Sequence, residues 1–324
     1  VNDTSERRRI DDDRVVLISR PRNQLTKCIL AQKLCRVRRE RAGIDHVKIL
    51  DITRKNKNVV PTVEAHKTTL VFTKAGDDDI FYRLWNAGLG DCEVWFNEGN
   101  VPIGKIYHKK VSDMINRGIN ASAGMLIINK AARNTAKIGL SNELFQKGSI
   151  HYVGSEIRSI ILNKMTIAPQ DNICVISGES IAIEAAMLAS EGNVTAVEYS
   201  SADRNTLEDN IEHFCLHNIN IVDHVDEKTM KDCPVPDVVF MVASASMDQE
   251  LDYFIRVNPK VRIVIYTLDF TVAAGIKNTL EPFGIINPEI IQVSVSTLES
   301  NNMFKQQPAP WIISAKVERF LHIV

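Results

Sequence analysis

No apolar run in the sequence approaches the ~18 residues that a membrane-crossing helix needs. The N-terminus has no apolar core of the secretion-signal type. Cys-x-x-Cys, Gly-x-Ser-x-Gly and the phosphate-cradling loop that ends in Gly-Lys-Ser/Thr are all missing. Their absence removes the commonest dithiol, serine-hydrolase and nucleotide-triphosphatase readings. There are no internal repeats and no low-complexity tracts. Cysteine is sparse: six residues, at 28, 35, 92, 174, 215 and 233, scattered and mostly in apolar contexts. That usage predicts reduced thiols in a cytoplasmic protein, not a disulfide framework.

What is present is ordinary in bulk and uneven in distribution. At 324 residues, 44% hydrophobic and 24% charged, the chain has room for two domains, each with its own core. The net charge of −1 hides a gradient. Residues 1–60 carry 16 Lys and Arg against 8 Asp and Glu, a net +8, which leaves −9 for the rest. The densest positive stretch is Arg36-Val37-Arg38-Arg39-Glu40-Arg41, followed by Arg54-Lys55-Asn56-Lys57. It is either an anion-binding face or a solvated helix and loop. No aromatics interleave with these charges, so base stacking on single-stranded nucleic acid is not expected.

In chain order, residues 1–13 are polar and expected to be disordered. A first domain, 14–135, alternates strands (15–18, 47–52, 68–73, 93–97, 124–129) with helices (24–40, 77–85, 111–115), an α/β pattern. Asn134, Gly139, Ser141-Asn142 and Gly148 mark 130–150 as the best linker, with 136–150 as its core. The second domain, 151–324, opens with a helix at 155–164. Strands follow at 173–176, 194–197, 219–224, 238–242, 261–266, 290–295 and 311–317, with helices at 181–190, 203–217 and 270–280. Trp85, Trp95 and Trp311 read as core residues. His213-x-Cys215-x-His217 resembles a metal triplet, but on a helix that spacing turns Cys215 away from both histidines, so no metal is expected.

The stretch 172–199 organises this second domain. It reads strand, turn, helix, strand, with Ser177-Gly178-Glu179-Ser180 in the turn and Glu198 closing the second strand. A right-handed crossover puts that turn at the carboxyl edge of a parallel sheet, where nucleotide-like ligands bind. An acid at the end of the second strand can accept hydrogen bonds from both ribose hydroxyls. A purely structural βαβ unit remains the competing reading, because the turn holds one glycine where adenosyl loops have two or three.

Seven strands, closed by two joined through a long non-helical hairpin, resemble a class I (Rossmann-like) methyltransferase domain, here preceded by a smaller α/β domain. The segments GSIHYVGSEIRSIILNKMTIAPQDNICVIS, IAIEAAMLA, TAVEYSSADRNTLEDNIEHFCLHNINIV and PDVVFMVASAS, with ISAKVE near the end, are similar to the CbiT-type corrin-ring methyltransferase over roughly 148–320. That family is the decarboxylating C15 half of precorrin-6Y C5,15-methyltransferase, in cobalamin biosynthesis. Residues about 11–135 are less specifically similar to the C-terminal subdomain of the CbiE-type half, through KTTLVFTKAGDDDIFYRLWNAGLGDCEVWFNEGNVPIGKIYHKKVSDM. The N-terminal half of that module has no counterpart here, so C5 methylation by this chain alone is not expected.

The resemblance implies S-adenosylmethionine as cofactor and a precorrin-6B or cobalt-precorrin-6B tetrapyrrole polycarboxylate as substrate. It also implies a homo-oligomer and a separate CbiE-type partner, with no membrane and no nucleic acid. Its cofactor positions fall on Val153, Ser177, Gly178, Glu179, Ser180, Glu198, Tyr199, Asp226, Ala243 and Ser244. Glu184 matches an acid in the following helix, and Glu156-Ile157-Arg158 the family's helix start. Glu179 is expected to point to solvent, with pairing to the cofactor's ammonium as the alternative. Arg158, Arg204 and Lys164 are candidates for the substrate's carboxylates. No catalytic side chain is assigned, because methyl transfer from a sulfonium needs alignment more than a nucleophile. The alternative function is a fold-retaining structural or regulatory subunit that docks through the basic N-terminal face.

Overall fold

The computed structural model describes residues 47–54, 57–98, 106–121, 123–132, 138–148 and 153–317. The expectations for 1–46, including the disordered tail, the strand at 15–18, the helix at 24–40 and the Arg36–Arg41 cluster, lie outside the described residues. The chain divides into two compact units, 1–135 and 136–324.

In the first unit, β1 (Lys48–Asp51), β2 (Thr68–Thr73), β3 (Glu93–Glu98), β4 (Tyr107–Lys110) and β5 (Ala123–Ile128) form one sheet in the order β1-β2-β5-β3-β4. Only β1 and β2 run parallel, joined by α1 (Val59–Ala65); the other pairs are antiparallel. The sheet is therefore mixed, and α1 and β4 were not legible as elements. α2 (Ile80–Leu84) runs into a wider turn that stops where Gly88 takes φ 78°, a conformation without steric cost only for glycine. Phe81 meets Phe96 edge to face, 5.8 Å between centroids. Trp95 is buried, but Trp85 is 44% exposed and is not a core residue.

The second unit carries α3 (Ser155–Met165), β6 (Asn172–Ile176), α4 (Glu179–Leu188), β7 (Asn193–Val197), α5 (Ser201–His213), β8 (Ile219–Val222) and β9 (Val238–Val242). Then come α6 (Met247–Val257), β10 (Arg262–Thr267), α7 (Phe270–Leu280), β11 (Glu289–Gln292), the hairpin β12 (Ser296–Leu298) and β13 (Phe304–Gln306), and β14 (Trp311–Lys316). The sheet order is β11-β14-β10-β9-β6-β7-β8, with β14 antiparallel to both neighbours. β6, β7 and β9 are buried along almost their whole length, as strands covered on both faces must be. Val175, Ala196 and Phe240 pack under α3, α4 and α5 through Ile157, Ile161, Ala182 and Leu207. Their neighbours Cys174, Val197, Val239 and Met241 point the other way, into Leu251, Phe254, Ile276 and Leu280 of α6 and α7.

α5 stops at His213, and Cys215 sits beyond it at φ 51°. The helical spacing assumed for His213, Cys215 and His217 thus does not exist. Among the described residues no group of three His, Cys, Asp or Glu could hold a metal, and no helix is long and apolar enough to cross a membrane. Residues 138–148, read as linker, pack into the second unit. Leu140 and Phe145 are buried in its core, and the Gly139 and Leu140 N–H groups donate to Glu184 at 2.7 and 3.0 Å.

Candidate active site

Strand order reverses at β6. The chain moves outward through β7 and β8, then returns to place β9 on the other side of β6. The turns after β6, β7 and β9 therefore open onto one crevice at the carboxyl edge. All the residues predicted there from 177–180, 198–199 and 243–244 lie on that edge.

The turn after β6 is tied to β7. The Ser177 N–H donates to the Val197 carbonyl at 3.0 Å, and Ser177 adopts φ 54°. The Gly178 N–H then donates to Glu198 Oε1 at 3.1 Å, while its carbonyl accepts the first helical bond of α4, from Ala182 at 2.8 Å. A Cβ on Gly178 would stand 2.9 Å from the Phe240 ring and 3.0 Å from Val175. The missing side chain thus serves packing against the sheet, a reason the sequence motif does not supply.

Glu198 is 2% exposed, and its own N–H donates to the Val222 carbonyl at 3.0 Å. Its Oε2 accepts no hydrogen bond among the described residues. Burial, with the Glu179 charge second, pushes its carboxyl up to about 8. Glu179 does not point to solvent as expected. It is half-buried, accepts the Gly148 N–H at 3.4 Å, and is pushed up to about 7 by burial, opposed by that hydrogen bond and helped by Asp203. Ser180 is buried at the start of α4.

Tyr199, 44% exposed, donates its hydroxyl to Glu250 Oε1. Burial and then that bond raise its pKa above the usual phenol value. Ser246 Oγ donates to the same Glu250 oxygen at 2.8 Å, and Ser244 Oγ lies 2.9 Å from Ser246 Oγ. The Ala243 N–H is spent on the Tyr266 carbonyl at 2.8 Å. Sequence reasoning missed Glu250 and Ser246. The available signal was the i, i+4, i+7 apolar row Met247, Leu251, Phe254, which makes Glu250 an acid on the inward face of α6.

Other predicted residues fall away from the crevice or are already engaged. The Asp226 carboxylate accepts the Thr229 N–H at 2.6 Å and meets His224 Nε2 at 2.8 Å, holding it down at about 2. Val153 is buried, and its carbonyl accepts from Arg158 Nη1 at 2.9 Å. Arg158 is no substrate cation: it is fully buried, pairs with Glu184, and bonds the Leu140 carbonyl at 2.5 Å. Lys164 pairs with Glu289 at 2.7 Å, where β11 starts, at the opposite edge of the sheet. Arg204 does stand at the crevice. Its Nη1 donates to the Glu198 and Tyr199 carbonyls at 2.7 and 3.0 Å and fixes the end of β7.

The crevice suits the nucleoside part of a methyl donor. Glu198 has one oxygen that positions the turn and one with no partner among the described residues, beside the N-terminus of α4. A family model for the precorrin methyltransferase domain matches residues 145–307. The chain belongs to that family. Precorrin methyltransferases are S-adenosylmethionine-dependent enzymes of cobalamin biosynthesis, and this chain is a methyltransferase of that kind. Among solved structures, the second unit is similar to precorrin-6Y C5,15-methyltransferase of Geobacter metallireducens. Identity is 23%, coverage 56% of this chain and 98% of that one, and the TM-score 0.52, a likeness of fold. A precorrin 8W decarboxylase from Methanobacterium thermoautotrophicum aligns at 16% identity over 55% of this chain and all of its own, TM-score 0.49. No curated protein matches the sequence.

Proposed function

We propose that this precorrin methyltransferase domain binds S-adenosylmethionine along the carboxyl edge of β6, β7 and β9, and methylates C15 of precorrin-6B or cobalt-precorrin-6B with loss of an acetate carboxyl as CO2. The observation that carries the cofactor reading is Glu198, a buried acid at the end of β7 with Oε1 on the Gly178 N–H and Oε2 without a partner among the described residues. The two ribose hydroxyls would meet Oε2, with Ser177, Gly178 and Ser180 lining the turn below. Glu179 is the group within this turn that suits the donor's ammonium, and Tyr199, Ala243 and Ser244 would flank the base. The cofactor supplies an electrophilic methyl on a sulfonium. The protein's own contribution would be chiefly proximity and in-line orientation of the reacting carbon.

The tetrapyrrole's carboxylates need cations. Of the three candidates only Arg204 stands at this edge. A homo-oligomer and a separate CbiE-type partner complete the proposal, in the cytoplasm.

Calorimetry with the whole chain tests it. Micromolar affinity for S-adenosylmethionine or S-adenosylhomocysteine is expected, together with a loss of about 100-fold or more in Glu198→Ala, which removes the buried carboxyl that meets both ribose hydroxyls. No heat with the wild-type chain at millimolar ligand would instead support the fold-retaining subunit, the reading favoured by a glycine whose purpose is to fit Phe240.

A further inference from the structure

Glu250 lies in the first turn of α6, is 3% exposed, and is used on one side only. Oε1 takes two donors, the Tyr199 hydroxyl and Ser246 Oγ. Oε2 is equally buried and has no hydrogen-bond partner among the described residues. A buried carboxylate oxygen without a donor is costly and uncommon. The two groups that hold Oε1 place the carboxylate at the ends of β7 and β9. Tyr199 directly follows Glu198, and Ser246 closes the turn that leaves β9. The Glu250 carboxylate thus bridges the two loops that flank β6, at the point where strand order reverses.

We infer that Glu250 reads the base of the methyl donor, its Oε2 accepting a hydrogen from the exocyclic amino group of an aminopurine whose ribose lies on Glu198. This rests on the cofactor reading above and adds to it the residue that selects the base. The base must extend from the ribose past Tyr199, whose half-exposed ring offers a flat apolar face. Ser246 spends its proton on Glu250, so the Ser244 hydroxyl, 2.9 Å from it, is the one that can turn its proton to the ring nitrogen beside the amino group. Hypoxanthine has a carbonyl oxygen in place of that amino group. Against Oε2 this would set acceptor on acceptor, a mismatch that sites built around a hydrogen bond reject strongly.

The test compares S-adenosylhomocysteine with S-inosylhomocysteine by calorimetry on the full chain. The wild type should prefer the adenosyl compound by roughly 100-fold. In Glu250→Gln, whose amide can face either edge as donor or acceptor, the preference should fall to within about threefold. Equal wild-type affinities overturn the role of Glu250 and leave the cofactor reading standing. A preference that survives unchanged in Glu250→Gln also overturns it. Failure of the wild type to bind either compound overturns the cofactor reading and this inference together. The wild-type comparison needs no variant, so it decides even if Glu250→Gln does not fold.

Discussion

Arg158 and Glu184 form an ion pair in which neither side chain is exposed. Glu184 also takes the Gly139 and Leu140 N–H groups, and Arg158 the Val153 and Leu140 carbonyls, with its guanidinium 4.6 Å from the Phe145 ring centroid. The pair staples the segment before α3 onto α4, the helix that starts at the Gly178 turn. Removing one partner strands a buried charge. Arg158→Met or Glu184→Ala alone should cost about 3–5 kcal/mol in urea unfolding, and the double variant less than the sum. Additive losses would show that the two residues act independently.

That pair also shows how much was readable. Both residues lie at positions the family pattern marks, yet their role is structural, and spacing alone cannot say whether a charge faces ligand or core. The central strands and α7 were legible because apolar runs bounded by Gly, Pro and Asn leave few alternatives. α6 was not among the expected helices, although Met247, Leu251 and Phe254 keep helical spacing. The edge strand β4 and the hairpin β12–β13 are largely exposed and have no apolar alternation to betray them. In the crevice, Glu198 and Gly178 were found in sequence, whereas the bond between them and the partner of Tyr199 depend on tertiary placement.

Two glycines should separate soft from hard collisions. At Gly192 a Cβ would fall 1.9 Å from the Asp171 carbonyl oxygen, a backbone atom. At Gly178 it meets the Phe240 ring and the Val175 methyl, which can shift. Gly178→Ala should cost about 1–3 kcal/mol and be partly rescued by Phe240→Leu, whereas Gly192→Ala should cost more and find no such rescue. Thermal unfolding of the four proteins orders them, and a Gly178→Ala chain of wild-type stability would remove Phe240 as the reason for the glycine.

Arg204 holds two consecutive carbonyls at the end of β7, those of Glu198 and Tyr199. It touches the crevice through backbone alone and stands at the solvent edge. Arg204→Ala should weaken S-adenosylhomocysteine binding about tenfold by loosening that strand end, with a melting temperature within a few degrees of wild type. Arg204→Lys, which keeps the charge but lacks the planar guanidinium, should bind as poorly as the alanine variant. Full affinity in Arg204→Lys would mean that charge, not the grip on the strand, is what counts.

The acids of the crevice give the protein a pH signature of definite sign. Glu198 and Glu179 have folded values of about 8 and about 7 against an ordinary 4.5, so between those limits the native state holds protons that the unfolded chain has released. Their contribution to stability is fully present below about pH 4.5 and is lost as pH rises toward 8. Exposed Asp226, held down at about 2 by the Thr229 N–H, acts in the opposite sense and only on the acid side, its contribution lost as pH falls below its ordinary 3.8. His224 is raised by Asp226 and Asp223 and adds a falling limb that starts at 6.5. Urea midpoints of the wild type should therefore decline from pH 4.5 to 8. In Glu179→Gln/Glu198→Gln most of that decline should vanish, leaving the His224 part. Parallel profiles for the two proteins would mean that these carboxyls titrate normally and that the crevice is wetter than its geometry indicates.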